Sequence, residues 1–356
     1  MRVARPALQH RGVMASPTAA PPTPVLVLSE IDGLLDALTR LIPPTHATFL
    51  HHTLDDATDE ILSAYSVIIA DPPTFGARCA DSPGCTGGTL RWLQSTYAGV
   101  DGLLRSSKNR GYTTTRLAGV FGQPMAEYVM MHMMAQEKGL LVDAQRQQLK
   151  EWGARWTMAN GALGRTLDQL TIGVMGSTGD IGSRVVQLAS AFGMTVWACG
   201  RGNGGETAAV SRSFGSNDPE QLSEFLGGCD YVVNVMPSTP DTRGLLTAAV
   251  LSACKPGAVL MNIGRGDVFA NGEDDVLGAL DAGYIRHAVL DVFAPTEPLP
   301  QESRLWHHPG VTVTPHNSWA PAQGFPDVFA RVFAKNLGLF RAGEPLNHAV
   351  DWEKGY

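Results

Sequence analysis

Between Thr171 and Thr314 the chain presents short apolar runs at Ile172 to Met175, Thr195 to Cys199, Tyr231 to Val235, Val259 to Asn262, Ala288 to Asp291 and Val311 to Thr314. Stretches of helical character lie between them at Ile181 to Ala191, Asp218 to Leu226 and Asp274 to Ala282. Strands alternating with helices in this way predict a doubly wound parallel sheet, whose ligands gather at the carboxyl ends of the strands. An earlier stretch repeats the theme: Val25 to Leu28, helical spacing over Ile31 to Leu41, then Thr48 to Leu50, Val67 to Ala70 and Trp92 to Ser95. Turn chemistry closes the last two strands, at Asp71-Pro72-Pro73 and at Ala98-Gly99-Val100-Asp101-Gly102. The 356 residues exceed the roughly 250 to 300 at which one hydrophobic core stops growing. The expected fold is therefore α/β with two doubly wound parallel-sheet domains.

A long helix is expected from Pro124, a residue suited to a first turn, running past Leu141 with only Gly139 to interrupt it. Its methionines (Met125, Met130, Met131, Met133 and Met134) read as core or subunit packing. Beyond His316 the spacing of Val328, Val332, Phe333, Leu337 and Phe340 marks a final helix that returns to the first domain. The expected division is a leader at 1–24, a first domain at 25–122 completed by 320–356, and a second domain at 123–319.

Composition narrows the function classes. Charged residues are 17% of the chain, hydrophobic ones 44%, and the net charge is −7, without a Lys/Arg run that could neutralise phosphates. Nucleic acid and anionic membranes are disfavoured as partners, and a small molecule is favoured. No apolar stretch reaches the about 18 residues of a membrane helix. The cysteines (Cys79, Cys85, Cys199, Cys229 and Cys254) are odd in number without a CxxC pair, and read as reduced thiols. His51-His52 and His307-His308 lack a Cys, Asp or Glu at ligand spacing, so no metal is expected. The first residues carry Arg2, Arg5 and Arg11 and no acid, but no amphipathic period. They are expected to form a disordered leader, with Met14 as an alternative start, on a cytoplasmic protein.

The first strand of the second series runs into Gly176-Ser177-Thr178-Gly179-Asp180-Ile181-Gly182 and then a helix. Glycines let the backbone approach a pyrophosphate, and the helix amino end offers unpaired N–H groups and a positive dipole end. The spacing G-x-x-G-x-x-G departs from the usual G-x-G-x-x-G, so a structural glycine turn is the alternative. At the end of the next strand stands Cys199-Gly200-Arg201, where an acid would hold the ribose 2′-hydroxyl of NAD. Glycine leaves room for a 2′-phosphate and Arg201 can bind it, which predicts a preference for NADP(H), with NAD(H) also usable.

Three further segments each follow an expected strand: Asn262-Ile263-Gly264-Arg265-Gly266, the run from Asp291 to Pro300 containing Glu297-Pro298, and Pro315-His316. Singly, each has a plain reading as a surface ion pair, a solvated acid or a turn; together, they put a guanidinium, a carboxylate and an imidazole at one sheet edge. These segments, with Leu93 to Asp101, Ala126-Glu127-Tyr128, Gly343-Glu344-Pro345-Leu346, Val350-Asp351 and Gly355-Tyr356, resemble the D-isomer-specific 2-hydroxyacid dehydrogenase family over nearly everything after residue 25.

The resemblance implies a flavodoxin-like substrate domain, a Rossmann dinucleotide-binding domain, and reduction of a small 2-oxo acid, of the glyoxylate or hydroxypyruvate type, to a D-2-hydroxy acid. Arg265, Glu297 and His316 are the implied catalytic group, since a developing alkoxide needs an acid near neutrality, and histidine oriented by a carboxylate supplies one. Arg265 would bind the substrate carboxylate and polarise the keto oxygen, joined by the backbone at Gly99 and Val100. Ser177, Thr178, Gly179, Asp180, Ile181, Gly200, Arg201, Met236, Pro237, Thr242, Ile263 and Gly264 would hold the cofactor, with Asp291 at the nicotinamide carboxamide. Asp71-Pro72-Pro73-Thr74-Phe75 and Trp319 are candidates for the pocket wall. A homodimer through the 124–144 region is implied as well. The competing class is an NAD(H)-sensing corepressor-like binding protein with the same side chains. Formate dehydrogenase would carry Gln at 297, and a phosphoglycerate dehydrogenase fits Gly200-Arg201 less well.

Overall fold

Apolar runs without alternation are what strands covered on both faces look like, and most inner strands of both sheets carry them. The computed structural model describes residues 20–104, 111–152, 164–201, 207–319 and 324–353. Most of the expected leader (1–19), residues 320–323 at the expected domain boundary, and Gly355-Tyr356 lie outside the described residues. In the first sheet, β1 (Thr23–Leu28), β2 (Ala47–His51), β3 (Val67–Ala70), β4 (Trp92–Ser95) and β5 (Thr113–Thr115) run parallel in the order β2-β1-β3-β4-β5. That is the flavodoxin-like order.

The second sheet contains β6 (Thr171–Met175), β7 (Thr195–Gly200), β8 (Arg212–Gly215), β9 (Tyr231–Asn234), β10 (Ala258–Asn262), β11 (Ile285–Leu290) and β12 (Val311–Val313). All are parallel, in the order β12-β11-β10-β9-β6-β7-β8. The order reverses between β6 and β9, the switch point at which a crevice opens above the strand ends. The expected α/β class with two doubly wound parallel sheets is thus observed. No described helix is long and apolar enough to cross a membrane.

Three local expectations are corrected. The joining helix is two helices, Gly122–Lys138 and Leu140–Leu149, because Gly139 takes the left-handed conformation (φ 66°) and ends the first. The Pro72-Pro73 segment is not only a turn. Prolines suit the first turn of a helix, and Pro72–Arg78 is helical with Asp71 before it. Phe75 is fully buried and Pro72 nearly so, which removes them from the candidate pocket wall. The final helix, Phe325–Ala342, does pack on the first sheet: the Phe333 ring stacks on Trp92 at 4.9 Å, and the Trp92 indole N–H donates to Thr115 Oγ1 at 2.8 Å.

At the amino ends of the second sheet, away from the crevice, a charge cluster ties the joining helix to the strands. The Glu137 carboxylate is 2% exposed and accepts from Arg165 (2.8 and 3.1 Å), from Arg286 (2.8 Å) and from the Tyr231 hydroxyl (2.8 Å). Burial pushes its pKa up, yet the bonds from Arg165 and Tyr231 and the two guanidinium charges outweigh that and hold it below the usual range. Arg165 also pairs with Asp230, which accepts from Lys255 and from the Thr171 N–H that opens β6. Removing one partner from such a cluster strands the opposite charges. Glu137→Ala should therefore lower stability by about 3 kcal/mol, read as a shifted urea midpoint, whereas a shift no larger than that of an exposed Glu→Ala control would contradict this account.

Candidate active site

Parallel strands deliver their following loops to one edge, and here three such loops meet. The loop after β10 is shaped by Asn262, whose Oδ1 accepts from Asn234 Nδ2 (2.9 Å) and whose Nδ2 donates to the Arg265 carbonyl (3.0 Å). This turns the Arg265 side chain toward the first sheet. There its Nε and Nη2 lie 3.1 and 3.0 Å from Asp101 Oδ2, and its Nη1 donates to the Gly264 carbonyl at 2.7 Å. Gly99 makes that approach possible, since a Cβ on it would stand 2.1 Å from Arg265 Nη2. Behind this loop Asp71 joins three strand ends, accepting from the Ser29 and Thr96 hydroxyls and from the Glu30 N–H. The N–H groups of Gly99 and Val100 find no acceptor among the described residues.

The loops after β11 and β12 meet through Glu297 and His316. Glu297 Oε1 accepts from the Phe293 N–H at 2.7 Å, and Oε2 lies 2.7 Å from His316 Nδ1. Burial pushes the Glu297 pKa up, but the bonds from His316 and Phe293 and the nearby positive charges of His316 and Arg265 hold it below the usual carboxylate range. An ionised carboxylate only accepts, so Nδ1 carries the hydrogen and Nε2 faces away from Glu297. His316 has φ 51°, a left-handed conformation that costs a non-glycine residue on the order of 1 to 3 kcal/mol. Its carbonyl accepts from the Trp319 indole N–H (2.8 Å), and the next two N–H groups, of Asn317 and Ser318, donate to Asp291 at 2.9 and 3.0 Å.

Asp291 accordingly differs from expectation. It has no exposed surface, and its oxygens accept from Thr314, Asn317 and Ser318 instead of facing the crevice. A carboxylate following a strand gives no sign in sequence of whether it points out or back into its own loop. Asp101 and Asn262 show no role in sequence, because the partners that define them lie 164 residues away (Arg265) and 28 residues away (Asn234).

The loop after β6 and the helix start that follows it offer what a dinucleotide pyrophosphate needs. The helix Asp180–Ala191 begins at Gly179, which supplies no side-chain cap, so its first N–H groups remain available to an anion. A Cβ at Gly182 would meet the Gly176 carbonyl at 2.2 Å, so only glycine allows the loop to fold this tightly. Ser177 and Ile181 are partly exposed, and Thr178, Gly179 and Asp180 exposed, around this turn. At the end of β7, a Cβ on Gly200 would touch nothing within 4 Å, and Arg201 is exposed beside it. Pro237 is exposed, whereas Met236, Ile263 and Gly264 are buried and shape the floor from below. Thr242 is buried too, its hydroxyl donating to the Pro237 carbonyl at 2.6 Å. The Ser318 hydroxyl is buried without a hydrogen-bond partner among the described residues.

Comparison with known proteins identifies the family. The profile of the D-isomer specific 2-hydroxyacid dehydrogenase NAD binding domain matches residues 130–318. A glyoxylate/hydroxypyruvate reductase A from Serratia proteamaculans is 33% identical over 283 residues, covering 76% of this chain and 82% of the relative. The crystal structure of a D-isomer specific 2-hydroxyacid dehydrogenase family protein from Aeromonas salmonicida superposes with TM-score 0.78 at 33% identity, covering 93% of this chain and 99% of that one. An NADPH-dependent glyoxylate/hydroxypyruvate reductase from Sinorhizobium meliloti, solved with NADP and sulfate, gives TM-score 0.74 at 27% identity, covering 94% and 100%. Sequence profile, relatives and fold converge: the chain belongs to the D-isomer specific 2-hydroxyacid dehydrogenase family and is an NAD(P)-dependent 2-hydroxyacid dehydrogenase.

Proposed function

We propose that this enzyme reduces a small 2-oxo acid, of the glyoxylate or hydroxypyruvate type, to the D-2-hydroxy acid with NADPH as preferred reductant, and that Arg265, Glu297 and His316 are its catalytic residues. The observation that carries the reading is the 2.7 Å contact of His316 Nδ1 with Glu297, which leaves Nε2 as the proton donor. A reduced nicotinamide supplies hydride to the carbonyl carbon. As charge grows on the oxygen, His316 passes its Nε2 proton there and becomes the neutral imidazole, still bonded through Nδ1–H to Glu297. Arg265 holds the substrate carboxylate against the N–H groups of Gly99 and Val100, and its planar fork polarises the keto oxygen. The names of the Serratia and Sinorhizobium relatives support the substrate class. His316→Gln is expected to lower kcat roughly 100- to 10,000-fold with glyoxylate while NADPH still binds; full turnover in this variant would end the reading.

The cofactor preference rests on the space at Gly200 and the exposed Arg201 beside it, with NADH as the poorer donor. A charge-assisted bond to a 2′-phosphate is worth about 1.5 to 3 kcal/mol, so Arg201→Ser should cost roughly 10- to 100-fold in kcat/KM for NADPH. NADH kinetics should barely change, and an equal loss with both cofactors would contradict the assignment.

A homodimer through the joining helices is part of this reading. The helix Leu140–Leu149 buries none of its residues, and Leu140, Leu141, Leu149 and Trp152 (91% exposed) are exposed large apolar side chains, as are Met131 and Met134 on the preceding helix. Exposed apolar area of this kind marks an interface. Leu141→Glu with Leu149→Glu should shift the sedimentation mass from two chains to one, and a monomeric parent would refute it. The buried, free cysteines accord with the cytoplasm as the compartment.

A further inference from the structure

His316 can serve as an acid only if its loop keeps a backbone conformation that the residue itself disfavours, and the joining helix reaches that loop. Tyr128, on Gly122–Lys138, is 9% exposed, and its hydroxyl lies 2.7 Å from Thr314 Oγ1. Thr314 Oγ1 in turn donates to Asp291 Oδ1 at 2.6 Å. A threonine hydroxyl has one hydrogen, and here it goes to the carboxylate, so Tyr128 must be the donor of the other bond. Burial pushes the Tyr128 hydroxyl up to about 12, so it keeps that hydrogen across the working range. Asp291 takes its remaining bonds from the N–H groups of Asn317 and Ser318, the residues immediately after His316. Donation therefore runs from phenol to hydroxyl to carboxylate, and the same carboxylate accepts from the backbone that directly follows His316.

We propose that Tyr128 and Thr314 are positioning residues for the reduction, acting through Asp291 to hold His316 at the angle at which Nδ1 meets Glu297. The inference rests on the reading of His316 as the acid. Simple packing is the competing account: Tyr128 also lies against the His132 ring, centroids 4.3 Å apart, and fills the core beneath the sheet. The two accounts part at Tyr128→Phe, which keeps the ring and its packing and removes only the donor. With the donor gone, Thr314 is free to turn its hydrogen elsewhere, and Asp291 loses the fixed partner that balances its two backbone bonds.

The test is steady-state kinetics with glyoxylate and NADPH for Tyr128→Phe, Thr314→Val, Thr314→Ser and the Phe/Val double variant, with His316→Gln measured alongside. Losing one hydrogen bond in the series should lower kcat roughly three- to tenfold, with KM for both reactants within about 1.5-fold of the parent. Thr314→Ser, which retains the hydroxyl, should restore most of kcat. The double variant should lose less than the product of the single losses, because either change opens the same series. Thermal unfolding and quenching of NADPH fluorescence on binding separate a lost fold from a lost position. The proposal is overturned if Tyr128→Phe turns over like the parent while His316→Gln is inactive, or if kcat and KM move together, or if Thr314→Ser behaves like Thr314→Val. Full activity of His316→Gln would instead remove the acid reading beneath it.

Discussion

An imidazole at the end of a flexible side chain can work as an acid at a fixed carbonyl only when its other nitrogen is committed, and the Glu297–His316 hydrogen bond makes that commitment here. The bond spans two loops that leave neighbouring strands, and much of the local architecture exists to bring them together. Parallel pairing of β11 with β12 sets the spacing of the loops, the Phe293 N–H fixes one carboxylate oxygen, and Asp291 fixes the backbone just beyond the histidine. Each of these costs conformational freedom in advance, so that little remains to be lost when substrate arrives.

The joining helix Gly122–Lys138 connects features that would otherwise look unrelated. Its carboxyl end carries Glu137 into the charge cluster at the amino ends of the second sheet, while Tyr128, nine positions earlier and so about 13 Å along the axis, reaches the strand ends at the opposite edge. One rigid element thus runs from the most heavily bonded charges in the sheet to the loop that holds His316. Its exposed methionines and the helix that follows carry the apolar side chains proposed for a subunit contact, so such an association would bear on the same element.

What could be read from the sequence divides along physical lines. Strands announce themselves as apolar runs, and six of the second sheet's strands were legible for that reason, the edge strand β12 by its two valines. β8 (Arg-Ser-Phe-Gly) and β5 (Thr-Thr-Thr) were not, because neither carries such a run and each lies at a sheet edge. Gly139 was seen, but whether a glycine interrupts a helix or is carried within it depends on its φ angle, which composition does not reveal. The residues of the candidate site were visible as types at strand ends. The carboxylates were harder: Asp71, Asp101 and Asp291 each follow a strand or lie in a loop near one, and only the groups opposing them separate a strand-end tie, an ion-pair partner and a loop brace.

Asp101 also bears on how the two sheets cooperate. Its carboxylate holds Arg265 across the crevice at 3.0 Å, with the guanidinium seated against Gly99, so loops from both sheets already meet around the charge that the proposed substrate needs. A planar guanidinium has five N–H donors, and here Nε and one terminal nitrogen face Asp101 while the other terminal nitrogen gives one of its two N–H groups to the Gly264 carbonyl. One N–H on each terminal nitrogen is left over, so under the proposed binding mode a substrate carboxylate meets the terminal edge of the guanidinium while Asp101 holds the Nε side. The pair is only partly buried, so its attraction is screened and modest. Under the proposed binding mode Asp101 thus orients the guanidinium in advance, through a pair exposed enough to adjust as substrate enters.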